Sequence, residues 1–365
     1  TRAATQVSYS LIDQASNRSC GHISEIFSPS SLVELAQKIS HQYPLDGILL
    51  ASGFEDYPEE LKALSELAPI LGNPIDVIAR VRDRTHFFET LASKGIQFPR
   101  TIKAKGLKQL EKAASELGYP LVVKPVKGFG GEGIRLVRNT RELDSVGLSD
   151  NEMIVQEYIK GVSASASILG TGSESIVLAL NKQLIGIRQL GAPTCFTYCG
   201  NITPLKAPPT TLKLCKLICS EVSNTFGLVG SNGVDFVLDS SGKPWILEVN
   251  PRFQATIECV EKMLGINLVE AHIAACEGSL ITPPSVSQGY FTRVILYAKR
   301  RCSVPDLSIL CGVRDIPIPG VIVEKGEPVC SVFTTGQTET ESIDKAIKCT
   351  RQIYRLLCVE KTAVS

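Results

Sequence analysis

Apolar positions along the chain switch repeatedly between helical and strand spacing. In "SPSSLVELAQKIS", Leu32, Leu35, Ala36 and Ile39 recur on one helical face behind serines able to cap it. "DGILLASG" reads as a buried strand ending in a glycine loop, and "YPEELKALSEL" as a helix with Pro58 near its first turn. This alternation predicts an α/β unit, a parallel sheet with helices on its faces, whose first strand would precede Thr1. "RDRTHFFETLASKG" is a helix stopped by Gly95, and "LKQLEKAASELG" an amphipathic helix ending at Gly118. "YPLVVKP", "IRLVRN", "MIVQEYI" and "ASASILG" follow as strands, with a short polar helix among them. Residues 174 to 206 are strand-like around a loop, "QLGAPTCFTYCGNITP". A helix over about 208–226 leads to "GVDFVLD" and "PWILEVN", two strands joined by the turn "SSGK". After two more helices, the prolines of "ITPPSVS" mark a boundary before a strand-rich tail and a closing helix.

Composition narrows the function classes. The 365 residues allow two or three domains, each large enough for its own core. With 38 basic against 37 acidic residues, nothing points to nucleic acid or an anionic membrane as partner. No run of about 18 apolar residues predicts a membrane span, and "TRAATQVSYSLIDQ" lacks the pattern of a secretory signal. Twelve cysteines without C-x-x-C or Cys/His spacing fit a reduced, cytoplasmic protein. Cys215 and Cys219, with Ile218, Val222 and Phe226, read as the core face of a helix. Cys195 and Cys199 fall in the expected loop, with no histidine nearby to support metal binding. His22, His41, His86 and His272 show no metal spacing and receive no role.

Candidate chemistry starts at "KPVKGFGGEGIRLV", Lys124 to Val137, where Gly128, Gly130 and Gly133 fit G-x-G-x-x-G. A dinucleotide fingerprint needs a helix opening on the last glycine, but "IRLV" alternates with a period of two. No G-K-[ST] closes the loop, so it is not a Walker motif. A glycine flap between strands covers ATP phosphates in kinase-type sites, yet the chain has neither H-R-D nor D-F-G. Alone, the loop is a weak signal, and an ordinary glycine turn is the safer reading.

Its surroundings add weight. Lys124 ends the strand entering the loop and Lys127 lies inside it. Downstream, Asp235 and Glu248 stand 13 positions apart, a separation that can set them side by side across a hairpin. Glu248 and Asn250 alternate by two and share a face of their strand. Oxygen ligands of this kind suit Mg²⁺.

Lys124 before the glycine loop, "VQEYIKG", "GVDFVLD" and "LEVNPR" together resemble the ATP-grasp superfamily. "SGFEDYPE", Gly72-Asn73, "FTYCGNITP" and "DIPIPGVIVEKGEPVCSVF" fit a poorly characterised, carboxylate–amine ligase-like branch related to tyramine–glutamate ligase. The resemblance implies an ATP-grasp fold in three parts. These are a Rossmann-like pre-ATP-grasp α/β domain over 1–95, an ATP-grasp domain over 96–280 and a strand-rich extension over 281–365. The grasp domain would divide into subdomains of about 96–160 and 161–280.

The resemblance also implies roles. Lys124 would contact the adenine side and the α-phosphate, and Gly128, Phe129, Gly130, Gly131 and Gly133, with Lys127, would close over the other phosphates. Glu157, Tyr158 and Ile159 would form the strand at the adenine edge. Asp235, Glu248 and Asn250 would hold Mg²⁺, with Mn²⁺ as an alternative, and Arg252 would face the reacting carboxylate. Two positions depart from the family pattern: Arg84 replaces a lysine that often follows the aspartate, and Ser163 replaces an acid for the ribose hydroxyls. Arginine keeps the charge with a different geometry.

The implied reaction is ATP-dependent ligation of a small-molecule carboxylate to an amine through an acyl phosphate. Carboxylation, small-molecule phosphorylation and a non-catalytic nucleotide-binding role are the alternatives, and neither Met153 nor Met263 sits in a biotin-attachment motif. No side-chain nucleophile is required, so Ser231 and Cys259 read as structural. Gly53, Phe54 and Glu55 follow a predicted strand and serve either an acceptor pocket or a helix-capping loop. Tyr198 and Asn201 sit in a loop that either closes over the acceptor or is an ordinary loop tip. A homodimer is left open.

Overall fold

A computed structural model describes residues 29–128, 130–144, 146, 151–282 and 287–359; His22 and Phe129 lie outside the described residues. In the N-terminal unit, helices Pro29–Ser40 and Pro58–Ser65 flank a parallel pair of strands, Ile48–Leu49 and Ile70–Leu71. Each strand is two residues long, shorter than "DGILLASG" suggested: pairing ends at the exposed Leu49, and the buried Leu50 that follows belongs to the core. Val33, Leu50, Leu61, Leu64 and Ile78 form this unit's core. Helices Ile75–Arg82 and Arg84–Ser93 meet at Asp83. Its carboxylate accepts from the backbone N–H of Thr85 at 2.9 Å and His86 at 3.3 Å, an N-cap worth about 1 kcal/mol. Arg84 is thereby the first residue of its helix.

A four-stranded antiparallel sheet comes next, ordered Thr101–Lys105, Glu152–Glu157, Leu121–Pro125, Arg135–Val137. Leu110, Ala113, Ala114 and Leu117 of helix Gly106–Leu117 cover it at helical spacing. Residues 158–160 then connect it to an eight-stranded sheet.

That larger sheet runs Pro244–Asn250, Val229–Asp239, Gly161–Thr171, Ser175–Ile185, Tyr198–Thr203, Tyr290–Tyr297, Pro328–Gly336, Val313–Arg314. Successive side chains alternate between its two faces, and its central strands are buried on both. Ala164, Ala166, Val234, Phe236 and Ile246 face helix Pro209–Phe226, meeting Cys215, Cys219, Val222 and Phe226 in one core. Each large side chain buried there contributes roughly 1.5–3 kcal/mol. The cysteine pair is therefore core, as its spacing suggested. Ser165 and Asn181 lie on the other face, along with Asp235. The tail is continuous with this sheet: Tyr290–Tyr297 pairs with both Tyr198–Thr203 and Pro328–Gly336. The closing helix, Glu339–Leu356, packs on it through Ala346, Ile347 and Ile353. No helix among the described residues is long and apolar enough to cross a membrane.

Candidate active site

Two neighbouring strands assemble the acidic corner. Asp235 pairs directly with Glu248, and Gly233 with Asn250, as the hairpin spacing suggested. A bulge after Asp235 adds local twist where the carboxylates meet. Asn250 Nδ2 donates to Asp235 Oδ2 at 3.1 Å. Burial, then the neighbouring Glu248 charge, push the Asp235 pKa up to about 7. Burial alone would also raise Glu248, but the charges of Arg84, Lys124 and Arg82 outweigh it and hold that group at about 2. A divalent cation would relieve the repulsion between these carboxylates. Among the described residues no three His, Cys, Asp or Glu side chains gather as a metal cluster. Two carboxylates and an amide oxygen are a set suited to Mg²⁺, which fills its shell from phosphate and water.

Cations surround this corner. Arg84 is 7% exposed, and its Nη2 donates to Glu248 Oε2 at 2.8 Å. Its buried Nη1 has no hydrogen-bond partner among the described residues. Leaving such a group unmatched costs about 1–3 kcal/mol, and an anionic oxygen would satisfy it. Lys124 Nζ donates to Gln156 Oε1 at 3.0 Å. Burial, then the Arg84 charge, push the Lys124 pKa down to about 8 against the pull of Glu248. Lys127 is exposed, reaching the Asp56 carbonyl at 3.3 Å and lying 5.8 Å from the Tyr57 ring centre.

Gly128, Gly130, Gly131 and Gly133 all belong to the loop joining Leu121–Pro125 to Arg135–Val137. A strand therefore follows the glycines. The loop rests on the segment leading into Tyr198–Thr203: Tyr198 N–H donates to the Gly130 carbonyl at 3.0 Å. At Gly131, φ is +84° and a Cβ would lie 2.0 Å from the Phe196 carbonyl oxygen, so only glycine fits.

Glu157 ends its strand, while Tyr158 and Ile159 lie in the connector, not on the expected strand. Two of their N–H groups are committed: Glu157 N donates to Arg100 O at 2.9 Å and Tyr158 N to Pro120 O at 3.3 Å. Ser163 lies on the adjoining strand, opposite Val237.

Arg252 Nε donates to Glu55 Oε1, bringing the N-terminal unit to the acidic corner. Arg252 Nη2 reaches Asn250 Oδ1 at 3.2 Å and Nη1 the Phe253 carbonyl at 2.9 Å. Gly53 N–H donates to Glu55 Oε2 at 2.7 Å, while Phe54 packs on the N-terminal core. Tyr198 and Asn201 lie on a strand rather than in the loop the sequence suggested. The Tyr198 hydroxyl donates to Asn201 Oδ1 at 3.1 Å, and the fully buried Asn201 donates from Nδ2 to Thr203 Oγ1 at 3.3 Å. Burial raises the Tyr198 pKa far above its ordinary value. Ser231 and Cys259 are buried.

Sequence reasoning missed a second junction. His272, given no role above, accepts from Ser231 N–H at Nδ1 (2.7 Å) and bonds the Leu71 carbonyl through Nε2 (2.9 Å). With Nδ1 accepting, the proton belongs on Nε2. Asn73 Nδ2 donates to Asn232 Oδ1 at 2.6 Å and to the Pro251 carbonyl at 3.1 Å, and its Oδ1 accepts from Val229 N–H at 2.8 Å. These buried bonds fix the N-terminal unit to the strand carrying Asp235 and to the residue before Arg252. Gly72-Asn73 was the available signal.

Residues 81–256 match the model of an ATP-grasp domain. Over 313 residues the chain is 28% identical to an uncharacterised protein of Methanocaldococcus jannaschii, covering 86% of this chain and 75% of that one. It is 24% identical over 254 residues to the carbamoyl phosphate synthase large chain of Ralstonia nicotianae, spanning 67% of this chain but 23% of that one. Among solved structures, Campylobacter jejuni biotin carboxylase in a β-γ-ATP complex superposes with a TM-score of 0.71 at 15% identity, over 90% of this chain and 78% of the other. An L-amino acid ligase from Bacillus licheniformis gives a TM-score of 0.69 at 18% identity, over 92% and 86%. At such identities the structures show likeness of fold.

Proposed function

We propose, from the premise that residues 81–256 form an ATP-grasp domain, that this protein is an ATP-dependent ligase joining a small-molecule carboxylate to an amine. ADP and phosphate would be released. The observation that carries this reading is the direct pairing of Asp235 with Glu248 beside Arg84 and Lys124, with Arg252 two residues beyond Asn250. Relatives of this fold include both ligases and carboxylases, so the family leaves the reaction to the site.

Lys124 and Arg84 would bind ATP phosphates, the free Arg84 Nη1 being the best-placed donor. Lys127, Gly128, Phe129, Gly130, Gly131 and Gly133 would cover them. Ile159 offers main chain at the adenine edge where Glu157 and Tyr158 have their N–H groups engaged, and Ser163 would meet a ribose hydroxyl. Asp235, Glu248 and Asn250 would hold Mg²⁺, whose charge offsets that of the transferring phosphoryl oxygens. Mn²⁺ suits the same oxygen ligands.

In the reaction, an oxygen of the donor carboxylate attacks the γ-phosphorus and the bond to the β,γ-bridging oxygen breaks. Arg252 steadies the resulting acyl phosphate. The amine then attacks the carbonyl carbon and displaces phosphate. Closure of the flap excludes water, which would otherwise hydrolyse the acyl phosphate.

Purified protein with ATP and Mg²⁺, challenged with pooled carboxylates and amines, should yield acceptor-dependent ADP and phosphate. An Asp235→Ala, Glu248→Ala variant should lose at least about 100-fold of that rate, since the site's phosphoryl stabilisation amounts to several kcal/mol. AMP and pyrophosphate would contradict the γ-phosphoryl mechanism, and turnover with bicarbonate alone would favour carboxylation.

A further inference from the structure

Arg252 already holds a carboxylate, and it is the protein's own. Glu55 meets Arg252 Nε, with side-chain exposures of 11% and 14% for the two groups. Asn250 and Phe253 each take one N–H of the Nη groups, so a donor carboxylate that grips Arg252 side-on, through Nε and the neighbouring Nη, competes with Glu55. A carboxylate displaced this far from water needs another cation. The neighbouring cations are engaged elsewhere: Arg82 grips Asp56 through two bonds of 2.7 Å, Arg84 pairs with Glu248 and Lys127 reaches the Asp56 carbonyl. Glu55 itself stays anchored, because Gly53 N–H holds Oε2 at 2.7 Å.

We infer that Glu55 is the residue that receives the acceptor as a protonated aliphatic amine, once the donor carboxylate has drawn Arg252 away. This inference rests on the ligase reading and names the acceptor's chemical class within it. Binding is then ordered, donor before amine, because Arg252 and the ammonium compete for one carboxylate. Burial alone would raise the Glu55 pKa, but in the resting site the charge and hydrogen bond of Arg252 outweigh it, and the ammonium takes over that counter-charge when Arg252 turns to the donor. In the transfer step one ammonium proton passes to Glu55 and on to solvent. The nitrogen lone pair forms the C–N bond, the C–O bond to phosphate breaks with its electron pair, and a second N–H proton leaves with the phosphate.

The test is a partition experiment on the full chain with Mg²⁺-ATP, a carboxylate panel and an alkylamine and amino-acid panel. Hydroxylamine, largely unprotonated at neutral pH, competes as a second nucleophile. In Glu55→Gln the ratio of amide to hydroxamate should fall about tenfold or more, as expected for loss of a charged hydrogen bond, and Glu55→Asp should restore part of it. Equal loss of both products would show that Glu55 only braces Arg252 and would overturn the inference. An unchanged ratio would do the same. Neither amide nor hydroxamate from the wild-type protein with any carboxylate would instead overturn the ligase reading, and this inference with it.

Discussion

Lys124 is a residue whose charge the site controls. Its pKa of about 8 means that the ammonium is present below that pH and is lost above it. Affinity for a non-hydrolysable ATP analogue should therefore weaken as pH rises through about 8, read by titration at constant Mg²⁺. Lys124→Arg keeps its charge at all these values and should flatten the profile, although its fork geometry differs. Residues such as Asp235, Glu248 and Asn250 were legible in the sequence because strand alternation and hairpin length alone decide which side chains meet. The free N–H of Arg84 was not. It depends on packing against Glu248, a partner 164 residues away, and no local spacing encodes that.

Among the elements, the glycine flap and the strand Tyr198–Thr203 act together. Gly130→Ala and Gly131→Ala both oppose a positive φ, but only at Gly131 does a Cβ also meet backbone, at Phe196. Gly131→Ala should therefore weaken nucleotide binding several-fold more than Gly130→Ala, measured by analogue titration, because opening the loop is its main route of relief. The sequence showed the flap, since alternation in "IRLV" rules out a helix after the glycines. It misread "FTYCGN" as loop because Gly200 and Asn201 disfavour strands in isolation. Pairing with Ser175–Ile185 on one side and Tyr290–Tyr297 on the other overrides that preference. Gly200 is also required there: a Cβ would lie 2.0 Å from the Arg293 carbonyl oxygen.

Across the whole molecule, His272 and Asn73 join the N-terminal unit to the acidic corner, so stability and site geometry are linked. Burial lowers the His272 pKa, and Nδ1 must stay unprotonated to accept from Ser231. The unfolded chain, with its histidine near the ordinary value of about 6.5, takes the proton first. Stability from this group is thus complete above that value and is lost as pH falls below it, toward the lower folded value. Thermal unfolding should show a wild-type Tm that drops between about pH 7.5 and 5.5 by a few degrees more than that of His272→Gln. A lone histidine without metal spacing gave no hint of this role, because its partners Leu71 and Ser231 are distant in sequence and both are backbone groups. The α/β alternation and the paired strands of the site could be read in advance; the joints between them could not.

The central claim is that a carboxylate oxygen attacks the γ-phosphate of ATP, and one labelling experiment follows that oxygen. A donor that supports turnover would be supplied with oxygen-18 in its carboxylate, and the phosphate and nucleotide products analysed by mass spectrometry. One labelled oxygen per turnover in inorganic phosphate is the predicted result. Label in AMP, or phosphate released without label, would contradict the account.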